Sequence, residues 1–365
     1  MTKPLVPPHI QDLKPYPPGK PIEELKRELG LNRVIKLASN ESPFGPSPKA
    51  REAVMACAAG LHRYPDGSGY YLKQKLSQKH GHPPERIVLG CGTNEIIDHL
   101  GRVFVGPGGG AVVPHPSFLV YQKFLQAVGA EATLVGLNEL DLDLEAMAGA
   151  VDEKTRLMVI CNPNNPTGTF IDLPRIEALV KELPETVTLL VDEAYLDFVR
   201  GKEAATAMDL VGEERSICVT RTFSKAYGLA GLRIGYGVMS ASMADFVNRV
   251  RQPFNVTSPA LAGAEAALDD QEFLDSVLEK TWDGLDLLTR ELSRLGLKTY
   301  PSQTNFLLFE VPGKAAQVYQ KMLTKGVIIR HMGSFGLEDF LRVSVGTEEE
   351  NTMFLDRLAL TLGEL

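Results

Sequence analysis

Between Ile87 and Thr220 the chain repeatedly alternates short β-prone apolar runs with helix-period stretches. IVLG (from Ile87), the run at Val112, Thr133-Leu134-Val135, LMVIC ending near Cys161, LLV before Asp192, and SICVT (Ser216–Thr220) all read as strands. The stretch with Ile96, Ile97, Leu100, Val103 and Phe104 has helical spacing, as does the one with Tyr121, Phe124 and Leu125. Such alternation predicts an α/β fold with a mostly parallel sheet between helices. In open sheets of this kind, ligands bind beyond the carboxyl ends of the strands. Polar residues at those ends therefore matter most.

Three successive strand ends carry unusual polar groups. The first opens into CNPNNPTG, with Asn165. The second ends on Asp192, with Tyr195 three residues on; a carboxylate there must meet solvent or a cation. The third leads into TFSKAYGLAGLRIGY, which holds Lys225 and, eight residues later, Arg233. A lone lysine is usually a solvated surface group. Held near other cations and away from water, it becomes an amine nucleophile for a carbonyl. A fourth strand end, Gly90-Cys91-Gly92-Thr93-Asn94, is a glycine turn before a helix, an arrangement that offers backbone N–H groups to a phosphate. Alone it is a weak signal, because most Gly-X-Gly turns bind nothing. Together, a reactive lysine, a carboxylate, two groups able to bond a phenolic oxygen and a phosphate cradle match the needs of pyridoxal 5′-phosphate.

The flanking segments differ in character. Residues 1 to about 20 are proline-rich, include Tyr16, and cannot form a helix interior. Pro21 to Leu29 reads as a short helix stopped at Gly30. From Ser258 the chain reads as one or two long amphipathic helices, then NFLLFEV, a helix near Ala315–Leu323, VIIRHM, LRVSVGT and a closing helix from Glu348. The expected organisation is an N-terminal arm with part of a small domain (1–40), a large cofactor-binding domain (41–257) and a small α+β domain (258–365). Asn40 lies in a loop broken by Pro43, Gly45, Pro46 and Pro48.

Composition narrows the function classes. Thirty-eight basic against forty-six acidic residues give a net charge of −8, which disfavours non-specific nucleic-acid binding. The four cysteines, Cys57, Cys91, Cys161 and Cys218, form no CxxC pair and read as buried thiols, with no metal site. No apolar run reaches transmembrane length, so no membrane partner is expected and the default location is the cytoplasm.

PYPPGKPIEELKRELG, IKLASNESPFGPS, RYPDG, GCGTNEII, CNPNNPTG, VDEAYLDF, TFSKAYGLAGLRIGY, TNFLLF and LRVSVGTEEE span essentially the whole chain. In them the sequence resembles the fold-type I, class-II-like aminotransferases, and within these the histidinol-phosphate branch. NPTG, DEAY and SKAYGLAGLR are specific to the group; the proline-rich arm and RYPDG point to the branch.

The resemblance implies a homodimer that uses pyridoxal 5′-phosphate to exchange an amino group between L-histidinol phosphate and 2-oxoglutarate, giving imidazole-acetol phosphate and glutamate. It implies that Lys225 binds the cofactor covalently and moves the substrate proton. Asp192 would pair with the ring nitrogen. Asn165 and Tyr195 would bond the ring oxygen, and Phe118, where relatives often carry tyrosine, would stack on the ring. Gly92, Thr93, Asn94, Thr222, Ser224 and Arg233 would hold the phosphate, joined by Tyr64 from a neighbouring subunit. Tyr16, Asn40, Arg330 and Arg342 fall on the substrate side. Threonine-phosphate decarboxylase and aromatic aminotransferase activities are the near alternatives. A non-catalytic pyridoxal-phosphate-sensing domain is the distant one.

Overall fold

The computed structural model describes residues 5–15, 19–201 and 205–365. Its strands are β1 (Ile35–Lys36), β2 (Ile87–Gly90), β3 (Gly110–His115), β4 (Glu131–Gly136), β5 (Thr155–Cys161) and β6 (Thr188–Asp192), then β7 (Ile217–Thr222), β8 (Gly235–Met239), β9 (Phe306–Glu310), β10 (Val327–Ile328), β11 (Arg330–His331) and β12 (Phe340–Ser344). Seven form one sheet in the order β2-β8-β7-β6-β5-β3-β4. Pairing is parallel from β7 through β4, while β8 runs antiparallel to both of its neighbours. The expected mostly parallel sheet is therefore present, interrupted by one reversed strand.

Side chains alternate between two apolar layers along these strands. Leu157, Val159 and Cys161 pack into one layer, Met158 and Ile160 into the other. Burial on both faces is what near-continuous apolar strands require. A chain so arranged can present polar groups only at its strand ends.

A second, smaller sheet, β11-β12-β9, is antiparallel and has its own core around Leu288, Phe309, Val318 and Phe354. The N-terminal pair Ile35–Lys36 joins Val327–Ile328 in parallel, which ties the segment before Asn40 to the C-terminal part of the chain. The helix Ile22–Leu29 ends on Gly30 in the left-handed region (φ 65°), a conformation glycine adopts without steric cost. The amphipathic stretch from Ser258 divides into two helices, Ser258–Leu268 and Gln271–Arg294.

Two expectations need correction. The helical spacing to Phe104 is α-helical only over Thr93–Leu100; Gly101–Val105 form a π turn. Of the cysteines expected to be buried, only Cys161 and Cys218 are; Cys57 is half-buried and Cys91 exposed. Cys91 sits in the turn between β2 and the helix from Thr93, outside both apolar layers.

Candidate active site

Strands β5, β6 and β7 lie side by side in register, so Cys161, Asp192 and Thr220 form a row across the sheet. Past this row lies a cavity of about 380 Å³. Asn165, Asp192, Tyr195, Thr222, Ser224, Lys225 and Arg233 line it, with Gly92, Thr93, Asn94 and Phe118. Asn40, Arg330 and Arg342 complete it from the side of the small sheet. Every site residue expected in the chain's own cavity and lying within the described residues is therefore in one place. Tyr16 lies outside the described residues. Tyr64 does not reach this cavity: it is 82% exposed and stacks on Phe254 at 4.8 Å.

Lys225 occupies the loop that joins β7 to β8. Its ammonium lies 3.4 Å from the Ser39 carbonyl and 5.5 Å from the centre of the Tyr195 ring. Burial, followed by the charge of Arg342, lowers its pKa from 10.5 to about 8; Arg233 acts in the same direction, Glu41 and Asp192 against it. A lysine so placed exists partly as the free amine near neutral pH.

Asp192 is 3% exposed. Burial raises its carboxyl pKa, opposed by hydrogen bonds from Tyr121 and Thr220, by the Ala194 backbone amide and by the charge of Lys225. The Tyr121 hydroxyl donates to Oδ2 at 2.7 Å and that of Thr220 to Oδ1 at 3.0 Å. Tyr121 is a residue that sequence reasoning missed. Its helical spacing places it in a core face, and its phenol finds its partner 71 residues away.

The neighbouring Glu193 turns to the opposite side of the strand. It accepts from Arg221 at 3.0 Å, Thr206 at 2.7 Å and the Ala207 amide at 2.6 Å. This buried ion pair fastens the ends of β6 and β7 together behind the row that presents Asp192.

One end of the cavity is shaped to receive an anion. Gly92 (φ 73°) begins the turn into the helix Thr93–Leu100, and a Cβ there would sit 2.5 Å from an Arg233 guanidinium nitrogen. A Cβ on Gly235 would lie 2.7 Å from the Thr93 amide nitrogen. Only glycines let the Arg233 head and the helix N-terminus come this close. The Ser224 amide donates to Thr222 Oγ1 at 3.1 Å, which braces the facing wall. Backbone amides, hydroxyls and a guanidinium converging at a helix N-terminus suit a phosphate.

At the other end, the Arg342 guanidinium donates to Asn165 Oδ1 and, at 2.9 Å, to the Ala38 carbonyl. With its oxygen so occupied, the Asn165 amide has its NH₂ group left to offer. Tyr195 accepts from Asn40 Nδ2 at 2.9 Å, and burial raises its phenol pKa, keeping it protonated. Asn162 and Asn164, by contrast, serve the loop. Asn162 bonds both backbone groups of Ile171 at 2.8 Å, and Asn164 bonds Ser117 and Thr167. Lys36 and Phe335 also line the cavity; Lys36 lies within IKLASNESPFGPS, but the resemblance gives neither residue a role.

The pattern of the family "Aminotransferase class I and II" matches residues 32–358. The chain belongs to that family of enzymes. It is 45% identical over 363 residues to the histidinol-phosphate aminotransferase of Desulfotalea psychrophila, covering 99% of this chain and 96% of that one. It is also 45% identical over 360 residues to histidinol-phosphate aminotransferase 2 of Pseudomonas aeruginosa, covering 98% of each. Among solved structures, the histidinol-phosphate aminotransferase from Sinorhizobium meliloti in complex with pyridoxal-5′-phosphate superposes with a TM-score of 0.92 at 28% identity. That match covers 100% of this chain and 99% of the other.

Proposed function

We propose that this chain binds pyridoxal 5′-phosphate and transfers an amino group from L-histidinol phosphate to 2-oxoglutarate. The observation that carries the reading is the meeting, in one cavity, of a lysine with weakened proton affinity, a buried carboxylate and a glycine-lined anion cradle.

The donor set fits the cofactor. Lys225 would hold it covalently through its ε-amine. Asp192 would face the ring nitrogen and Phe118 the ring, while Asn165 and Tyr195 would donate to the ring oxygen. The Thr93 and Asn94 amides, Thr222, Ser224 and Arg233 would surround its phosphate. Bound there, the cofactor supplies a sink for the electron pair left when the substrate's α-carbon loses a proton. Lys225 supplies the base: an amine whose proton leaves near pH 8 is matched to accept a carbon-bound proton and return it. Tyr121 and Thr220 hold the Asp192 carboxylate in place during that transfer.

On the substrate side, Arg330 and Arg342 provide planar guanidinium groups for an anion. Histidinol phosphate has no α-carboxylate, so its phosphate would take that place, and the carboxylates of glutamate would use the same site in the other half-reaction. The working unit is a cytoplasmic homodimer in which the exposed Tyr64 reaches a second copy's cofactor phosphate, and Tyr16 is assigned a role toward the substrate.

A single-turnover experiment tests the reading. The reconstituted protein is mixed separately with L-histidinol phosphate, L-phenylalanine and O-phosphothreonine while the visible cofactor band is followed. Rapid loss of the band with the first donor alone is expected. Carbon dioxide release from O-phosphothreonine would replace the transaminase with a decarboxylase, and faster conversion of phenylalanine would make it an aromatic aminotransferase.

A further inference from the structure

Asn40 has a left-handed backbone (φ 53°) and is 2% exposed. The small sheet and its approach segment hold it there. Its N–H donates to Ser344 Oγ at 2.9 Å, and its carbonyl accepts from Asn305 Nδ2 at 3.1 Å. Ser344 is anchored in turn, its amide donating to the Leu37 carbonyl at 2.8 Å. With both main-chain groups taken, the remaining freedom of Asn40 is the direction of its side-chain amide.

That direction follows from counting protons. A backbone N–H can only donate, so the Ser344 hydroxyl accepts from it and has one proton left. Asn40 Oδ1, 3.0 Å away, accepts that proton. The Asn40 NH₂ is then turned toward Tyr195 and donates to its hydroxyl at 2.9 Å. With an acceptor site of its oxygen occupied from this side, Tyr195 keeps its own proton for the cavity. Were the amide reversed, Oδ1 would take the Tyr195 proton, and two Asn40 donors would crowd one serine oxygen.

We propose that Ser344 is a positioning residue that fixes the direction of the Asn40 amide and thereby makes Tyr195 a hydrogen-bond donor into the cavity. Its consequence depends on the pyridoxal phosphate reading, since the donor matters when an oxyanion of the cofactor lies before it. A donor from Tyr195 at that oxygen would stabilise the deprotonated, charged form of the bound cofactor. Removing the donor raises the pH at which the visible band changes.

The test is a pH titration of that band in reconstituted wild type, Ser344→Ala, Ser344→Thr, Tyr195→Phe and the Ser344→Ala/Tyr195→Phe double variant. Ser344→Ala should raise the midpoint by roughly one pH unit, the worth of one hydrogen bond to a charged group. Ser344→Thr, which keeps the hydroxyl, should titrate like wild type. In the Tyr195→Phe background the Ser344→Ala shift should disappear. An unchanged midpoint in Ser344→Ala, or an equal shift with and without the Tyr195 hydroxyl, overturns the proposal.

Should Ser344→Ala not fold, Asn40→Asp takes its place. Aspartate tolerates the left-handed backbone and only accepts, so it draws the Tyr195 proton away. Its upward shift should shrink in the Tyr195→Phe background, and an undiminished shift there overturns the proposal equally. A wild-type protein that forms no visible band with the cofactor defeats the cofactor reading itself, and this inference with it; a normal wild-type band with no Ser344 effect defeats only the inference.

Discussion

Asp192 and Lys225 reach the cavity from neighbouring strands of one sheet, whereas Asn40 follows the separate β1–β10 pair and Arg330 and Arg342 lie on strands β11 and β12 of the small sheet. The first group stands on a floor whose register is set by continuous parallel pairing and by the Glu193–Arg221 ion pair behind it. The second forms a wall joined to the floor by individual side-chain bonds, Arg342 to Asn165 and Asn40 to Tyr195, with Ser344 and Asn305 holding Asn40. A floor of that kind suits a permanently held group whose chemistry is common to every substrate. A wall of that kind suits recognition, because one side chain can change without disturbing the sheet.

If this division is right, floor substitutions should affect all amino donors alike and wall substitutions should discriminate between them. Asp192→Asn should lower turnover on the order of 10³-fold for every donor, the scale for removing a preorganised charge at a reacting centre. A loss confined to one donor would dissolve the distinction. Arg330→Ala should cost about 2 kcal/mol, roughly 30-fold in kcat/KM, for the phosphorylated donor and much less for L-histidinol, which carries neither phosphate nor carboxylate. Equal losses would move Arg330 from the wall to the general machinery. Tyr121→Phe, which removes one bond to Asp192, should reduce turnover roughly fivefold for all donors and leave their ranking unchanged.

The smallest effect concerns the protein without cofactor. The folded state binds the Lys225 proton less tightly than the unfolded chain does, because the pKa falls from 10.5 to about 8. Below pH 8 both states carry the proton and its burial is fully destabilising. Between 8 and 10.5 only the unfolded chain carries it, so that penalty fades as pH rises. Lys225→Met should therefore melt about a few degrees above wild type at neutral pH, and the gap should close as pH climbs through this window. A gap that is constant with pH would mean that Lys225 is not stripped of solvent as described.

The same contrast explains what could be read from the sequence. Floor residues announce themselves because motif and strand end coincide: Asn165 after β5, Asp192 closing β6, Lys225 after β7. The helix at Ile22–Leu29 was equally plain, its proline start and glycine stop being local signals. Strand β8 was not, because Gly235 and Gly237 give its first half little β character. They are glycines for a tertiary reason: a Cβ on Gly235 would collide with the Thr93 amide, and one on Gly237 would crowd Met239 and Ile96.

Tyr121 and Ser344 were invisible as site residues for a similar reason. Tyr121 acts through one bond to a residue 71 positions away and Ser344 through two bonds to a residue 304 positions away, and no spacing rule encodes such partners. The resemblance implies Arg330 and Arg342 as substrate-side residues, while Lys36, on the same wall, lies within IKLASNESPFGPS but at none of the positions to which the resemblance gives a role.

The proposed function requires Lys225 to be the single point of covalent attachment. Reducing the reconstituted protein with borohydride and mapping the modified peptide tests this directly. The account predicts one cofactor adduct, on the peptide containing Lys225. An adduct on another lysine of the cavity, such as Lys36, or none despite a visible band, would contradict it.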